Sequence, residues 1–184
     1  MEHPYEGDGK DPRVRRPVSA DATPAQIQRL RAGDRNLARR LFAVMAEVFE
    51  EPGEELSDRY LDELLSRETF WAIAAVADDD VVGGLTAHTL PMTRTESAEV
   101  FIYDVAVRAD WRRRGIGRQL VTLLRAAATA GGLSDLFVPA DSTDGDALDF
   151  YRALGGVPAP VTMFTFVKTE AGAGPGASID LART

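Results

Sequence analysis

The run Arg112-Arg113-Arg114-Gly115-Ile116-Gly117-Arg118 packs four arginines and two glycines into seven positions. It follows Val105-Ala106-Val107, which reads as the end of a strand, and it leads into a helical apolar pattern. Glycines at such a junction let the backbone approach a ligand closely. Free amides at a helix N-terminus point outward, and flanking guanidinium groups add positive charge. The expected chemistry is binding of an anion such as a pyrophosphate. Two better-known phosphate loops are excluded by missing residues: the third glycine of a dinucleotide fingerprint would fall at Leu120, and no Gly-Lys-Ser/Thr follows.

Other chemistries are excluded by composition. The chain has no cysteine, which rules out disulfides, thiolate nucleophiles and cysteine-ligated metals. Its two histidines, His3 and His88, make a histidine-rich metal site equally unexpected. The net charge of -8 repels nucleic acid and favours a cationic partner, so a polycationic amine is expected rather than DNA. Carboxylates gather at Glu50, Glu51, Glu54 and Glu55, and again at Asp141, Asp144 and Asp146. Each taken singly also suits a solvated surface charge or a helix cap.

These residues need a scaffold, and 184 residues, 45% of them apolar, can bury one sizeable core. Residues 1–22 hold three prolines and two glycines without apolar periodicity, which predicts a disordered leader. They lack the apolar stretch of a secretory signal, and nowhere does the chain approach the ~20 apolar residues of a membrane span. A cytoplasmic protein without membrane contact is expected. Residues 23–168 form the predicted domain, and 169–184, Gly/Ala-rich, a flexible tail.

Within the domain, Gln26 to Arg31 reads as a first strand, and Asp34 as the cap of a helix carrying Leu37, Leu41, Val44, Met45 and Val48. Pro52-Gly53 ends it. Ser57 caps a second, short helix expected to bury Tyr60, Leu61, Leu64 and Leu65. Phe70 to Ala77 and Val81 to Leu90 flank Asp78-Asp79-Asp80 as a hairpin, and Ala98 to Val107 is a central strand. Arg108 to Arg114 reads as a polar loop. A helix from Gly115 to Ala130 stops at Gly131-Gly132. Leu136 to Ala140 predicts a short strand, Asp144 or Asp146 caps a last helix through Leu154, and Val161 to Lys168 predicts a terminal strand. Hairpin strands combined with crossover helices give an α/β or α+β class with a mixed sheet.

Arg112, Gly115 and Gly117, after a strand ending in Val-x-Val, resemble the phosphate loop of the GNAT acetyltransferase superfamily, Arg/Gln-x-x-Gly-x-Gly/Ala. Ala147-x-x-x-Tyr151-x-x-x-Gly155 matches the helix that in that family places a tyrosine beside the coenzyme sulfur. The resemblance covers about residues 26 to 168. More narrowly, Phe101 to Val107, Ala98-Glu99, Pro91, Ala140-Asp141 with Asp144, and Thr69-Phe70 look like the type I aminoglycoside 3-N-acetyltransferases. Ser142-Thr143 and Gly145-Asp146 depart from that narrower pattern.

The resemblance implies a GNAT fold whose mixed sheet splays at the coenzyme site, and a homodimer. It implies acetyl-coenzyme A as co-substrate, with no metal, held by Val105, Ala106 and Val107 and by Arg112, Arg113, Arg114, Gly115, Ile116, Gly117 and Arg118. Asp104 becomes the candidate base, although the same position suits a residue that only binds the cation. Tyr151 becomes the candidate acid for the departing thiolate, or else a core side chain. Glu50, Glu51, Asp104, Asp141 and Asp144 become the candidate acceptor-binding set, with acetyl moving directly to an aminoglycoside amine, gentamicin-like, at the 3-N position. His88 is either a second base or a strand residue. A polyamine or protein-lysine acetyltransferase, and a non-catalytic coenzyme-binding module, are the alternatives.

Overall fold

The computed structural model describes residues 24–51, 53–133 and 135–166. The predicted leader and tail, and the two ends of the predicted domain, therefore lie outside the described residues. In chain order the elements are β1 (Gln26–Arg29), α1 (Arg35–Phe49), α2 (Asp58–Leu65), β2 (Phe70–Ala77), β3 (Asp80–Pro91), β4 (Ala98–Val107), a 3-10 turn (Ala109–Trp111), α3 (Ile116–Ala130), β5 (Asp135–Phe137) and α4 (Gly145–Ala153). The strands form a five-stranded mixed sheet in sequence order. Neighbours from β1 to β4 are antiparallel, and β5 runs parallel to β4. This is the expected α/β class.

The strands bury both faces because their side chains alternate between two helical layers. Along β2, Trp71, Ile73 and Ala75 join the cluster beneath α3, whereas Phe70, Ala72 and Ala74 join the cluster beneath α1 and α2. Leu120 and Leu124 of α3 sit fully buried on one side, and Leu41 of α1 and Leu61 of α2 on the other. Burying each such leucine contributes about 2 kcal/mol. Gly84 of β3 allows the closest approach, since a β-carbon there would run into Leu41 and the carbonyl of Ile73.

Local chemistry fixes the ends of these elements. The β2–β3 turn holds Asp78 and Asp79 at φ 50° and 61°, the left-handed geometry of a two-residue hairpin turn, which aspartate tolerates. Ser57 caps α2, its hydroxyl accepting from the Tyr60 amide at 3.2 Å. Asp34 stands at the start of α1 but does not cap it; its carboxylate instead accepts from the Arg31 amide at 2.8 Å and closes the turn before the helix. At the other end α1 stops at Glu50, which takes φ 56° so that the Glu51 amide reaches the Ala46 carbonyl at 3.0 Å.

Three expectations are corrected. Tyr60 is exposed rather than buried, because the buried face of α2 is filled by Leu61 and Leu65, with Leu64 packing partly against the same cluster. The strand expected from Leu136 to Ala140 is shorter and shifted, Asp135–Phe137. The terminal strand expected from Val161 to Lys168 is not formed: residues 161–166 are exposed and outside any element, and the last two positions lie outside the described residues. A strand needs a ladder partner, and this segment has none among the described residues.

Candidate functional site

Beyond the short β4–β5 ladder the sheet opens. The two strands pair only at Glu99 with Asp135, Val100 with Leu136 and Phe101 with Phe137. From Ile102 to Val107, β4 keeps β3 on one side and, among the described residues, no strand on the other. Those backbone groups of Val105, Ala106 and Val107 that turn away from β3 thus lie along the open part of β4, where an extended ligand can continue the sheet.

Asp104 reaches this opening through a register slip. Thr86 pairs with Asp104 while the next residue, Ala87, pairs with Ile102, so Tyr103 is an extra residue in β4. Side chains alternate along a strand, and one extra residue reverses the alternation. Val100 and Ile102 therefore face α3, whereas Ala106, two residues past Asp104, packs with the α1–α2 cluster. The Thr86 hydroxyl, one of the few buried polar groups, donates to the Asp104 carboxylate at 3.2 Å. Burial raises the Asp104 pKa, the Thr86 hydrogen bond pulls it down, and the negative charge of Glu51 pushes it up again. A carboxylate made more basic this way is better suited to removing a proton.

Tyr151 approaches from the other side, on α4. Burial, then the charges of Asp104 and of Asp144, push its phenol up to about 12. The phenol is protonated at neutral pH and can donate. Both Asp104 and Tyr151 are thus raised by burial, and the Asp104 charge reaches the Tyr151 phenol.

The arginine-glycine loop lies at the end of β4. The α3 ladder begins with the Gln119 amide bonding the Gly115 carbonyl at 3.0 Å, which leaves the amides of Ile116, Gly117 and Arg118 ahead of it. Gly115 has φ 80°, and a β-carbon there would meet only the Gln119 amide nitrogen at 3.9 Å. Gly117 has another use: a β-carbon there would lie 3.1 Å from the Phe150 ring, so this glycine lets α3 close on α4. Arg113 takes φ 62°, an uncommon conformation for a side-chain-bearing residue. Arg112 donates to the Val107 carbonyl at 3.2 Å, and Arg118 to the Ala153 carbonyl at 3.4 Å, so both brace the loop. Arg114 lies over the Trp111 ring at 4.6 Å. Exposed arginines, outward amides and a glycine without a side chain fit an anionic group.

The remaining expected residues divide. Glu51 is coupled to Asp104, and its neighbour Glu50 holds the left-handed turn after α1. Asp144 caps α4, accepting from the Ala147 amide at 3.0 Å; Asp146 does not cap. Asp141 accepts from the Thr143 amide and hydroxyl, each at 2.7 Å, which holds its carboxylate below the usual range. His88 lies between the Phe70 and Tyr103 rings, at 5.3 and 6.1 Å between centroids, as a strand residue of an aromatic row. Thr86 and Phe150 were not singled out from sequence. Thr86 had one signal, a lone hydroxyl in the apolar and glycine run from Val81 to Ala87. Among the described residues no helix is long and apolar enough to cross a membrane, and no three His, Cys, Asp or Glu gather to hold a metal.

A family model described as the acetyltransferase (GNAT) family matches residues 37–155. Among solved structures, an aminoglycoside acetyltransferase from an uncultured soil metagenomic sample, crystallised with trehalose and with sisomicin, is 32% identical. That match covers 79% of this chain and 97% of the other, with a TM-score of 0.75. A second aminoglycoside acetyltransferase from such a sample is 31% identical over 80% of this chain and 100% of the other, with a TM-score of 0.76. An aminoglycoside 6'-N-acetyltransferase in complex with coenzyme A shares the fold at 16% identity, covering 83% and 99% of the two chains with a TM-score of 0.67. No curated protein sequence matches the chain.

Proposed function

We propose that this chain, which belongs to the GNAT acetyltransferase family, transfers the acetyl group of acetyl-coenzyme A directly to an amine of an aminoglycoside. The observation that carries the reading is the open edge of β4, the strand on which Asp104 stands, with the Asp104 charge reaching the Tyr151 phenol of α4. The 32% identity to a soil aminoglycoside acetyltransferase along nearly its whole length supports the substrate class.

In this reading the backbone groups of Val105, Ala106 and Val107 that turn away from β3 bind the pantetheine arm as an added strand. The amides of residues 113–118, with Arg112, Arg113, Arg114 and Arg118, bind the pyrophosphate. An amide near Val105 polarises the thioester carbonyl. One such donor, aimed where negative charge develops, lowers a barrier by about 3 kcal/mol. Juxtaposing amine and thioester contributes several kcal/mol more, against a ceiling of roughly 7–11 kcal/mol for effective molarity.

The acceptor arrives as an ammonium ion, attracted by Glu50, Glu51, Asp141 and Asp144. Asp104 takes its proton, and the free amine attacks the thioester carbonyl. The carbon–sulfur bond then breaks, Tyr151 giving the departing thiolate its proton and recovering the proton that the new amide nitrogen must lose. The narrower resemblance points to the 3-amine of a gentamicin-like drug, a cytoplasmic homodimer and a resistance activity.

The test is thiol release from acetyl-coenzyme A with gentamicin, kanamycin, spermidine and a lysine-rich peptide, followed by mass and NMR location of the acetyl group. Modification of gentamicin at the 3-amine is expected. Release with only polyamine or peptide would keep the coenzyme site and replace the acceptor.

A further inference from the structure

The sheet face that α1 and α2 pack on is covered over only part of its extent. The cluster beneath those helices reaches Phe70, Ala72 and Ala74 of β2, Val81 of β3 and Ala106 of β4. Beyond it the same face comes to the surface, where Leu90 is 39% exposed, Phe137 42% and Tyr103 63%.

The register lays aromatic rings across this exposed part. Phe70, His88, Phe101 and Phe137 are successive partners on β2, β3, β4 and β5, and cross-strand partners share a face. The centroids of Phe70 and His88 are 5.3 Å apart, as are those of Phe101 and Phe137. Tyr103, the extra residue of β4, closes the row: its ring meets His88 at 6.1 Å and Phe101 at 5.9 Å, both edge to face. Phe70 anchors one end of the row in the α1–α2 cluster, whereas Tyr103 and Phe137 are left to water. Such a surface gains by being covered.

The row adjoins the reacting groups. His88 is two residues beyond Thr86 on β3, on the same face and about 7 Å from the Thr86–Asp104 pair. Leu90 and its partner Glu99 follow on that face, about 14 Å from the pair. An aromatic floor therefore runs between two carboxylates, Asp104 at one end, where the charge of Glu51 reaches it, and Glu99 at the other.

That order of surfaces matches one ligand chemistry. A saturated sugar or cyclitol ring has an apolar C–H face that packs flat on an aromatic ring. Its ammonium substituents are attracted both by the negative face of an aromatic ring and by carboxylates. A linear polyamine has the charges without the flat apolar face. We propose that Tyr103, held by His88 and Phe101, is the floor on which a sugar ring of the acceptor lies, making it the residue that favours amines carried on rings. The inference rests on the aminoglycoside reading above and deepens it: Asp104 serves the reacting amine while a neighbouring ring of the same acceptor covers Tyr103.

The test is steady-state thiol release with kanamycin and gentamicin for wild type, Tyr103→Phe, Tyr103→Leu and Tyr103→Ala, with thermal melts in parallel. Tyr103→Leu and Tyr103→Ala are expected to raise the acceptor KM about tenfold while kcat and the KM for acetyl-coenzyme A stay within about twofold. Tyr103→Phe, which keeps the ring, is expected to restore the wild-type KM. Because Tyr103 is 63% exposed, none of the three should lower the melting temperature appreciably. A Tyr103→Leu variant that binds acceptor as well as wild type overturns the stacking. A variant that loses acceptor and acetyl-coenzyme A affinity together, with a lower melting temperature, makes Tyr103 a structural residue and overturns it too. Acetylation of an aminoglycoside with a KM indifferent to Tyr103 removes the floor and leaves the function; a wild-type protein that acetylates no aminoglycoside removes both.

Discussion

Thr86 and Asp104 face each other across the β3–β4 ladder, joined by a 3.2 Å hydrogen bond at the point where that ladder slips by one residue. The pairing gives Asp104 a fixed position, while burial keeps its carboxylate more basic than usual.

Asp104→Asn is expected to lower turnover by about 10²-fold or more while raising the melting temperature. The shift is upward, so the folded chain holds this proton more tightly than the unfolded one. That contribution to stability is complete below the ordinary aspartate value and is lost as pH rises through the raised one. At neutral pH the ionised side chain therefore burdens the fold, and a neutral isostere relieves it. Parallel kinetics and thermal melts check both signs. Unchanged turnover with weaker acceptor binding would make Asp104 a binding residue only.

Glu51→Gln should move the acid limb of the turnover profile to lower pH, because it removes a charge that raises the Asp104 pKa. It should also weaken binding of a polycationic acceptor. A profile measured from pH 4 to 9 with wild type and variant decides; an unmoved acid limb would detach that limb from Asp104.

Tyr151→Phe should lower turnover by about 10²-fold with little change in acetyl-coenzyme A affinity, since only the hydroxyl is lost. With its phenol pushed up to about 12, Tyr151 should not contribute an alkaline limb below pH 10. Phenolate absorbance of wild type against variant checks the titration. Normal turnover of the variant would remove the acid role.

The two loop glycines should respond differently to alanine. Gly115→Ala introduces no clash but strains a left-handed residue, a loss of about 1–2 kcal/mol. Gly117→Ala pushes on Phe150 and should loosen α4, costing about 1–3 kcal/mol and displacing Tyr151 with it. Thermal melts with and without acetyl-coenzyme A separate the effects: Gly115→Ala should keep the ligand-induced upward shift of the melting temperature more fully than Gly117→Ala.

Much of the scaffold was legible because local physics suffices for it. The spacing of Leu37, Leu41, Met45 and Val48 and of Ile116, Leu120 and Leu124 can only serve a helix face, and both helices form. Ser57 capped where expected because a cap involves only neighbours in sequence. Tyr60 was misread because periodicity marks a sector of a helix, whereas the sheet beneath α2 decides how wide the buried sector is. The terminal strand was misread because alternation describes a segment that could pair, and pairing needs an edge that composition cannot locate.

The sequence by itself determined the chemical inventory: an arginine-glycine loop ahead of a helix, a carboxylate in a strand, a tyrosine on a later helix, and no thiol to compete with them. Only the tertiary structure decided how they meet. Without the extra residue Tyr103, the side chain of Asp104 would share the α3 face with Val100 and Ile102. One additional residue in a period of two reverses the face, and that slip exists only in the register between β3 and β4. The use of Gly117 was decided in the same way, by the arrival of Phe150 from an element 33 residues away in sequence. Such contacts depend on which surfaces the fold brings together, and no local pattern along the chain carries that information.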